Sequence, residues 1–244
     1  MRNTMVLFRR EFSSYFATPL AFVFIVIFLL LAGIFTFYIG GFYERGQATL
    51  APFFEYHPWL YLFLIPALGM RLWSEERKSG SIELLMTLPV TLWQAVIGKF
   101  LAAWAVSGVA LALTFTIWVT VNYLGDPDNG TILAAYIGSF LMAGGFLAIG
   151  SCMSAATRNQ VIAFIFTVVI CFVMLLAGWS TFLGVLEGWV PQAIIDAIAS
   201  LSFLTHFASI SKGVIDIRDL LYFGTLIGGW LFATAIVLEM KKAD

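Results

Sequence analysis

The side chains that carry most protein chemistry are few in this chain and far apart. It has two histidines, His57 and His206, and two cysteines, Cys152 and Cys171. None stand at the close spacing from which a structural or catalytic metal is ligated. Both cysteines lie in long apolar runs, so no disulfide framework is expected. A serine hydrolase working within a membrane needs a serine facing a histidine. The fragments on offer are Gly138-Ser139 and Gly150-Ser151, dipeptides common in packed helices, while both histidines are expected near the outer surface. That enzyme reading is disfavoured. A phosphate cradle of the form GxxxxGK[ST] is missing: the one Gly-Lys pair, Gly98-Lys99, is followed by Phe100. No catalytic, cofactor-binding or metal residue is therefore assigned, and the chain is not expected to hydrolyse ATP alone.

What remains is one concentrated group of charges. SEERKSGSIELLMTLPVTLWQ, residues 74–94, carries Glu75, Glu76, Arg77, Lys78 and Glu83, with Arg71 and Lys99 beside it. After Gly80 it reads as a short helix with Ile82, Leu85 and Met86 on one side, Ser79 or Ser81 as cap and Pro89 as stop. A merely solvated loop has no need of the apolar patch at 82–88. Charge beside exposed apolar surface on a short helix reads as a docking element.

The elements that must position this loop are set by composition. Of 244 residues, 61% are hydrophobic and 11% charged, against about 25% charged in an ordinary soluble domain. Mean hydropathy is +0.96. Too little polar surface is left to cover a soluble particle, and disorder demands the opposite composition. The chain reads as an all-α integral membrane protein of one domain, 1–244. A spanning helix needs about 20 mostly apolar residues, and the charge-free runs place six, at about 20–40, 58–73, 100–123, 132–155, 161–182 and 220–238. The second is short and contains Pro66.

Lys and Arg choose the orientation. With the N-terminus inside, ten basic residues, including Arg9, Arg10, Arg71, Lys99 and Arg158, fall inside, and three, Arg45, Lys212 and Arg218, fall outside. Both termini are thus expected in the cytoplasm. Trp59, Tyr61, Trp118, Tyr123 and Trp179 are expected as anchors near the outer ends, and Trp73 near the inner end. The net charge of −1 gives no reason to expect a nucleic-acid partner; the lipid bilayer is the expected surrounding. The first apolar run is too long for a cleaved signal peptide.

Two more segments do not span. In 3–18, Met5, Phe8, Phe12 and Tyr15 share one helical face while Arg9, Arg10, Ser13 and Ser14 take the other. An interfacial elbow helix is expected there, ended by Pro19. Residues 183–219 are too apolar for an exposed loop, yet Glu187, Pro191 and Asp196 break a full span. Two short helices dipping into the outer side are expected, with Asp216 capping the last span and Asp219 in its first turn. No charge falls at the midplane of any span, and no half of the chain repeats the other, which argues against an ion-coupled carrier. Gly144, Gly145, Gly150 and the Gly224-x-x-x-Gly228 pair are read as close helix packing.

EERKSGSIELLMTLPVTLWQAVIGKF, residues 75–100, resembles the first cytoplasmic loop of ABC-2 type transporter permeases. The matching positions are Glu75, Glu76, Arg77, Gly80, Ser81, Glu83, Leu85, Pro89, Val90, Thr91, Gly98 and Lys99. FRREFSSYFATPLAFVFIVIFLLLAGIFTF near the start and SFLTHFASISKGVIDIRDLLYF near the end resemble the gliding-motility-associated branch. The nitrous-oxide-reductase maturation permease is a near relative by the same loop.

The resemblance implies an elbow helix, six spans, a cytoplasmic coupling helix and outer re-entrant helices between spans five and six. It implies a permease in the bacterial inner membrane, paired with a second permease copy and with separate ATPase subunits that hold ATP and Mg. An auxiliary membrane protein with a large periplasmic domain is a further expected partner. The ATPase contact expected from the loop comprises Glu75, Glu76, Arg77, Lys78, Gly80, Ser81, Ile82, Glu83, Leu84, Leu85, Met86 and Pro89. ATP-driven closure would push on residues 80–88 and tilt the spans, exporting a substrate or doing mechanical work. The alternative is a mechanotransmission subunit that drives a periplasmic partner and transports nothing.

Overall fold

The computed structural model describes residues 2–82, 90–186 and 190–241, and the regular elements among them are helices. Helix α1, Arg2–Ala17, lies before α2, Pro19–Gly33. Pro19 suits the first turn of α2 because its missing N–H has no partner to lose there. A π-turn, Ile34–Ile39, prolongs α2. There follow α3 (Ala51–Glu55), α4 (His57–Gly69), α5 (Ser74–Ser79), α6 (Leu92–Leu113) and α7 (Phe115–Leu124). Then come α8 (Asn129–Ala156), α9 (Gln160–Leu176), α10 (Ser180–Leu186), α11 (Gln192–Ser200), α12 (Phe203–Ile210) and α13 (Ile217–Met240).

Four of these are long and apolar enough to cross a bilayer: Pro19–Ile39, Leu92–Leu124, Asn129–Ala156 and Ile217–Met240. The two other expected spans are shorter. Helix α4 has 13 residues, about 20 Å at 1.5 Å per residue, against a hydrocarbon core of about 30 Å. It contains Pro66 and ends at Gly69, three residues later. Helix α9 has 17 residues rather than the 22 positions of 161–182 expected from the charge-free run. The chain turns at Ala177–Gly178, where a Cβ on Gly178 would lie 2.1 Å from Ser202 Oγ. Close approach to α12 therefore ends the span, and Trp179–Phe182 passes into α10. On the other hand, α6 begins at Leu92, well before position 100. A capping box fixes that start: Thr91 accepts from Gln94 N–H and the Gln94 side chain accepts from Thr91 N–H.

Helix α8 is the hub, packed by α13, α4, α9, α6 and α12, and the glycines read as packing residues explain how. A Cβ on Gly69 would lie 3.4 Å from Gly150 Cα, so α4 crosses α8 with backbones in contact. A Cβ on Gly144 would meet Trp104 at 2.9 Å, and one on Gly145 would meet Phe203 at 2.7 Å. The Gly224-x-x-x-Gly228 pair departs from that reading: among the described residues, nothing lies within 4 Å of a Cβ built at either position. The expected pair of short outer helices is present as α11 and α12, bent by 66°, and Asp216 accepts from Arg218 N–H as the cap of α13.

Two aromatic assignments and one face change. Tyr61 and Trp73 are fully buried rather than interfacial. On α1, Met5 is half exposed, and the inward line is Leu7, Glu11 and Tyr15. These positions step by four, so they share a face as well as the expected set does; the spacing rule could not choose between two faces only a fraction of a turn apart. His57, the first residue of α4, is buried.

Candidate functional site

The ends of several helices meet on one face. The Lys241 ammonium at the end of α13 donates to Ala156 O at the end of α8, and Arg77 on α5 donates to Ala155 O. Helix α1 runs beside α6 on the same face. The sequence puts the charged loop here, so its residues are followed in order.

After α4 the chain turns through 70–73 and is held on α8 by one serine. Ser154 Oγ donates to Met70 O at 2.8 Å and accepts from Trp73 N–H and Ser74 N–H, both at 3.0 Å. Trp73 Nε1 donates to Ser151 Oγ at 3.1 Å. Buried polar groups are strongly selected to be paired, and two serines one turn apart supply the partners. Thus Ser151, weighed only as a fragment of a hydrolase, positions the charged loop.

Helix α5 then distributes its charges. Glu75 accepts from Arg71 Nε at 2.7 Å and from Arg71 Nη2 at 3.1 Å. These two charge-assisted bonds hold the Glu75 carboxyl below the usual carboxylate range. Glu76 points inward, with Oε1 2.9 Å from Lys99 Nζ. Lys78 and Ser79 are exposed, and Ser79 and Ser81 share a hydrogen bond at 2.8 Å. Gly80 has φ +72° and nothing within 4 Å of a built Cβ. Its role is a left-handed end to α5, a conformation that only glycine adopts freely. Ile82 packs against the core. Glu83, Leu84, Leu85, Met86 and Pro89 lie outside the described residues, as does most of the short helix expected over 80–88.

Gly98 and Lys99, both named above, have no place in the contact expected from the sequence, yet this face is built around both. Lys99 sits about 10 Å into α6 and is only 4% exposed. Its ammonium lies 3.2 Å from Glu11 Oε2 on α1 and 2.9 Å from Glu76 Oε1 on α5, with the Trp73 ring 5.4 Å away. Gly98, the preceding residue, is where α1 and α6 touch: a Cβ there would meet Leu7 Cβ at 3.0 Å and Thr4 O at 3.3 Å. The signal was present as a lone charge inside an otherwise apolar helix, and in the Gly-Lys pair that closes the loop pattern. A cavity of about 420 Å³ opens beside the triad, lined by Arg10, Glu11, Arg71, Glu75, Glu76 and Lys99 among others.

At the far ends of the helices the chemistry is different. His57 Nδ1 lies 3.3 Å from Ser139 Oγ, which shares a 2.8 Å hydrogen bond with the Tyr61 hydroxyl. The structure therefore brings together a serine and a histidine that the sequence kept apart. Both are fully buried, and the imidazole is packed by Phe28, Phe53, Phe54 and Tyr61. Such packing leaves no room for a substrate carbonyl at Oγ, and the arrangement acts as a polar tie between α4 and α8. His206 on α12 binds Asp219 of α13 at 2.6 Å and Ser200 O at 3.0 Å, stacking on Tyr222. An apolar cavity of about 640 Å³ lies between α3, the start of α8 and α12.

On this face the charged loop is tied to α1 through Lys99 and Glu11 and to α6 through Lys99. No curated protein matches the chain. The family described as ABC-2 family transporter protein matches residues 26–221, a stretch that holds α4, the charged loop, α8 and the bent outer pair. The chain belongs to the ABC-2 family of transporter proteins and is a multi-pass membrane permease of that family.

Proposed function

We propose that this permease is the membrane subunit of an inner-membrane ABC transporter, and that residues 75–89 receive the force of a separate ATPase subunit. The observation that carries the reading is the face just described. The charged loop leaves the bundle there, and among its described residues Glu76, Arg77 and Ile82 are anchored inward while Lys78 and Ser79 stay exposed. Anchoring on one side and exposure on the other is what a force-bearing contact requires. The proposed contact comprises Lys78 and Ser79, which are exposed, together with Leu84, Leu85, Met86 and Pro89, which lie outside the described residues. A few buried anchors dominate most interfaces, whereas exposed ion pairs contribute about 0–1 kcal/mol each. The leucines and methionine therefore supply the affinity.

The finer features go with this reading. Both termini lie in the cytoplasm, as the distribution of Lys and Arg directs. Two copies pair to present two loops to two ATPases, and the open Gly224 and Gly228 face of α13 is compatible with a second chain there. The chain falls in the gliding-motility-associated branch, with an auxiliary periplasmic partner, and it binds no cofactor itself. The test is purification of the tagged chain in mild detergent. An ATPase with nucleotide-binding motifs should accompany it at equal stoichiometry, and its absence under conditions that preserve the permease would refute the proposal.

A further inference from the structure

Three elements meet at one ammonium, and the two carboxylates that reach it are held differently. Glu11 is held at both oxygens: Oε1 accepts from Arg10 at 3.2 Å and Oε2 pairs with Lys99 at 3.2 Å. It stands on a helix of 16 residues whose backbone touches α6 at Gly98. Glu76 is held at one oxygen only. Its Oε2 is buried with no hydrogen-bond partner among the described residues, and it stands on a helix of six residues at the rim. A buried carboxylate oxygen without a partner is a strained arrangement that release to water relieves.

We propose that Glu11, Lys99 and Glu76 form a release latch: α5 parts from the α1–α6 seam by giving up the Glu76–Lys99 pair, while Glu11 keeps the buried ammonium paired and Arg77 and Ser154 keep the start of α5 on α8. A buried cation with a single carboxylate resists separation strongly, because the parted charge stays desolvated. With a second carboxylate in place, α5 moves without ever exposing that cost. Two acids around one base therefore make the contact breakable, and Gly98 keeps α1, the holder of the second acid, from moving with α5. In function, the latch sets how readily the loop follows its ATPase; this use of it rests on the proposed coupling role, whereas the latch itself does not.

The two carboxylates consequently have opposite effects on α5, which a purely structural ion cluster does not predict. The experiment is hydrogen exchange at the amides of Ser74–Ser79 in the chain alone, reconstituted in lipid nanodiscs. Glu76→Gln should speed exchange there about tenfold or more, the scale of a lost charge-assisted hydrogen bond, and leave α1 unchanged. Glu11→Gln should slow it below the wild-type rate, because opening then strands the ammonium. Glu76→Asp should restore much of the protection. Equal acceleration by Glu76→Gln and Glu11→Gln, or no effect of Glu76→Gln, overturns the latch. The same variants in the purified ATPase complex should show faster, uncoupled hydrolysis for Glu76→Gln and slower hydrolysis for Glu11→Gln. Failure of any ATPase to accompany the chain refutes the coupling role alone, since the exchange experiment needs no partner.

Discussion

Gly98→Ala is the smallest change that tests whether α1 and α6 form one seam. The added methyl would lie 3.0 Å from Leu7 Cβ, 3.3 Å from Thr4 O and 3.6 Å from Phe8 N. Two of those atoms are backbone and the third is a Cβ, so no rotamer change relieves the contact and α1 itself must shift by a few tenths of an ångström. Overpacking of this kind costs about 1–3 kcal/mol. Alanine in a helix interior returns about 0.5–1 kcal/mol relative to glycine. The net is about 0–2.5 kcal/mol against the seam, up to roughly a sixtyfold rise in local opening at 1.4 kcal/mol per tenfold. The assay is hydrogen exchange over α1 in nanodiscs, with Gly228→Ala as the contrast. Among the described residues, nothing lies within 4 Å of a Cβ built at Gly228, so alanine there should leave α13 as protected as before or more so. Slower exchange in α1 for Gly98→Ala, which is what alanine's helix preference gives when nothing is overpacked, would refute the close seam. Faster exchange in α13 for Gly228→Ala would show that another chain uses that face.

Other substitutions probe the remaining ties. Ser154→Ala removes the partner of Trp73 N–H and Ser74 N–H and a donor to Met70 O; at about 1–3 kcal/mol for each buried group left unpaired, it should cost about 2–4 kcal/mol in denaturant unfolding, and a cost below about 0.5 kcal/mol would contradict the anchoring. The Arg71–Glu75 pair is half exposed, with Glu75 at 51%, so solvent screening holds its worth to under about 1 kcal/mol. Because the folded carboxyl sits below its usual value of about 4.3, that stabilisation is present above about pH 5 and is lost as pH falls through the lowered pKa. The difference in melting temperature between wild type and Glu75→Gln should therefore be flat from about pH 5 to 8 and vanish in stronger acid. For topology, a cysteine at Ser79 should react with an impermeant reagent only after the membrane is opened, and one at Asn129 should react in intact cells. Cys152 and Cys171 are buried and give little background.

Much of the fold was legible because membrane helices announce themselves through missing charge. The start of α2, the extent of α8, the cap at Asp216 and the pair of short outer helices all follow from where charges, prolines and caps fall. The same rule failed where a charge is satisfied inside the protein. It started the third span only after Lys99, and it left Glu11 unread, because a sequence does not show that two acids on separate elements share one base. It also drew α9 too long, since the turn at Gly178 is dictated by Ser202, which lies 24 residues away in sequence. Trp73 and Tyr61 read as membrane anchors because belt aromatics and buried ones look alike until Ser151 and Ser139 are seen opposite them.

The central claim is that residues 75–89 couple this permease to its ATPase, and Leu85→Asp tests it most directly. The tagged chain is purified from membranes, the accompanying ATPase is quantified, and its hydrolysis rate is measured in the assembled complex. A charge placed in an apolar groove carries a heavy desolvation cost, so Leu85→Asp should lose most of the bound ATPase or its stimulation, whereas Lys78→Ala should change either by less than about fivefold, the scale of an exposed ion pair. If Leu85→Asp inserts normally in the membrane and leaves both ATPase binding and hydrolysis unchanged, this loop is not the coupling element.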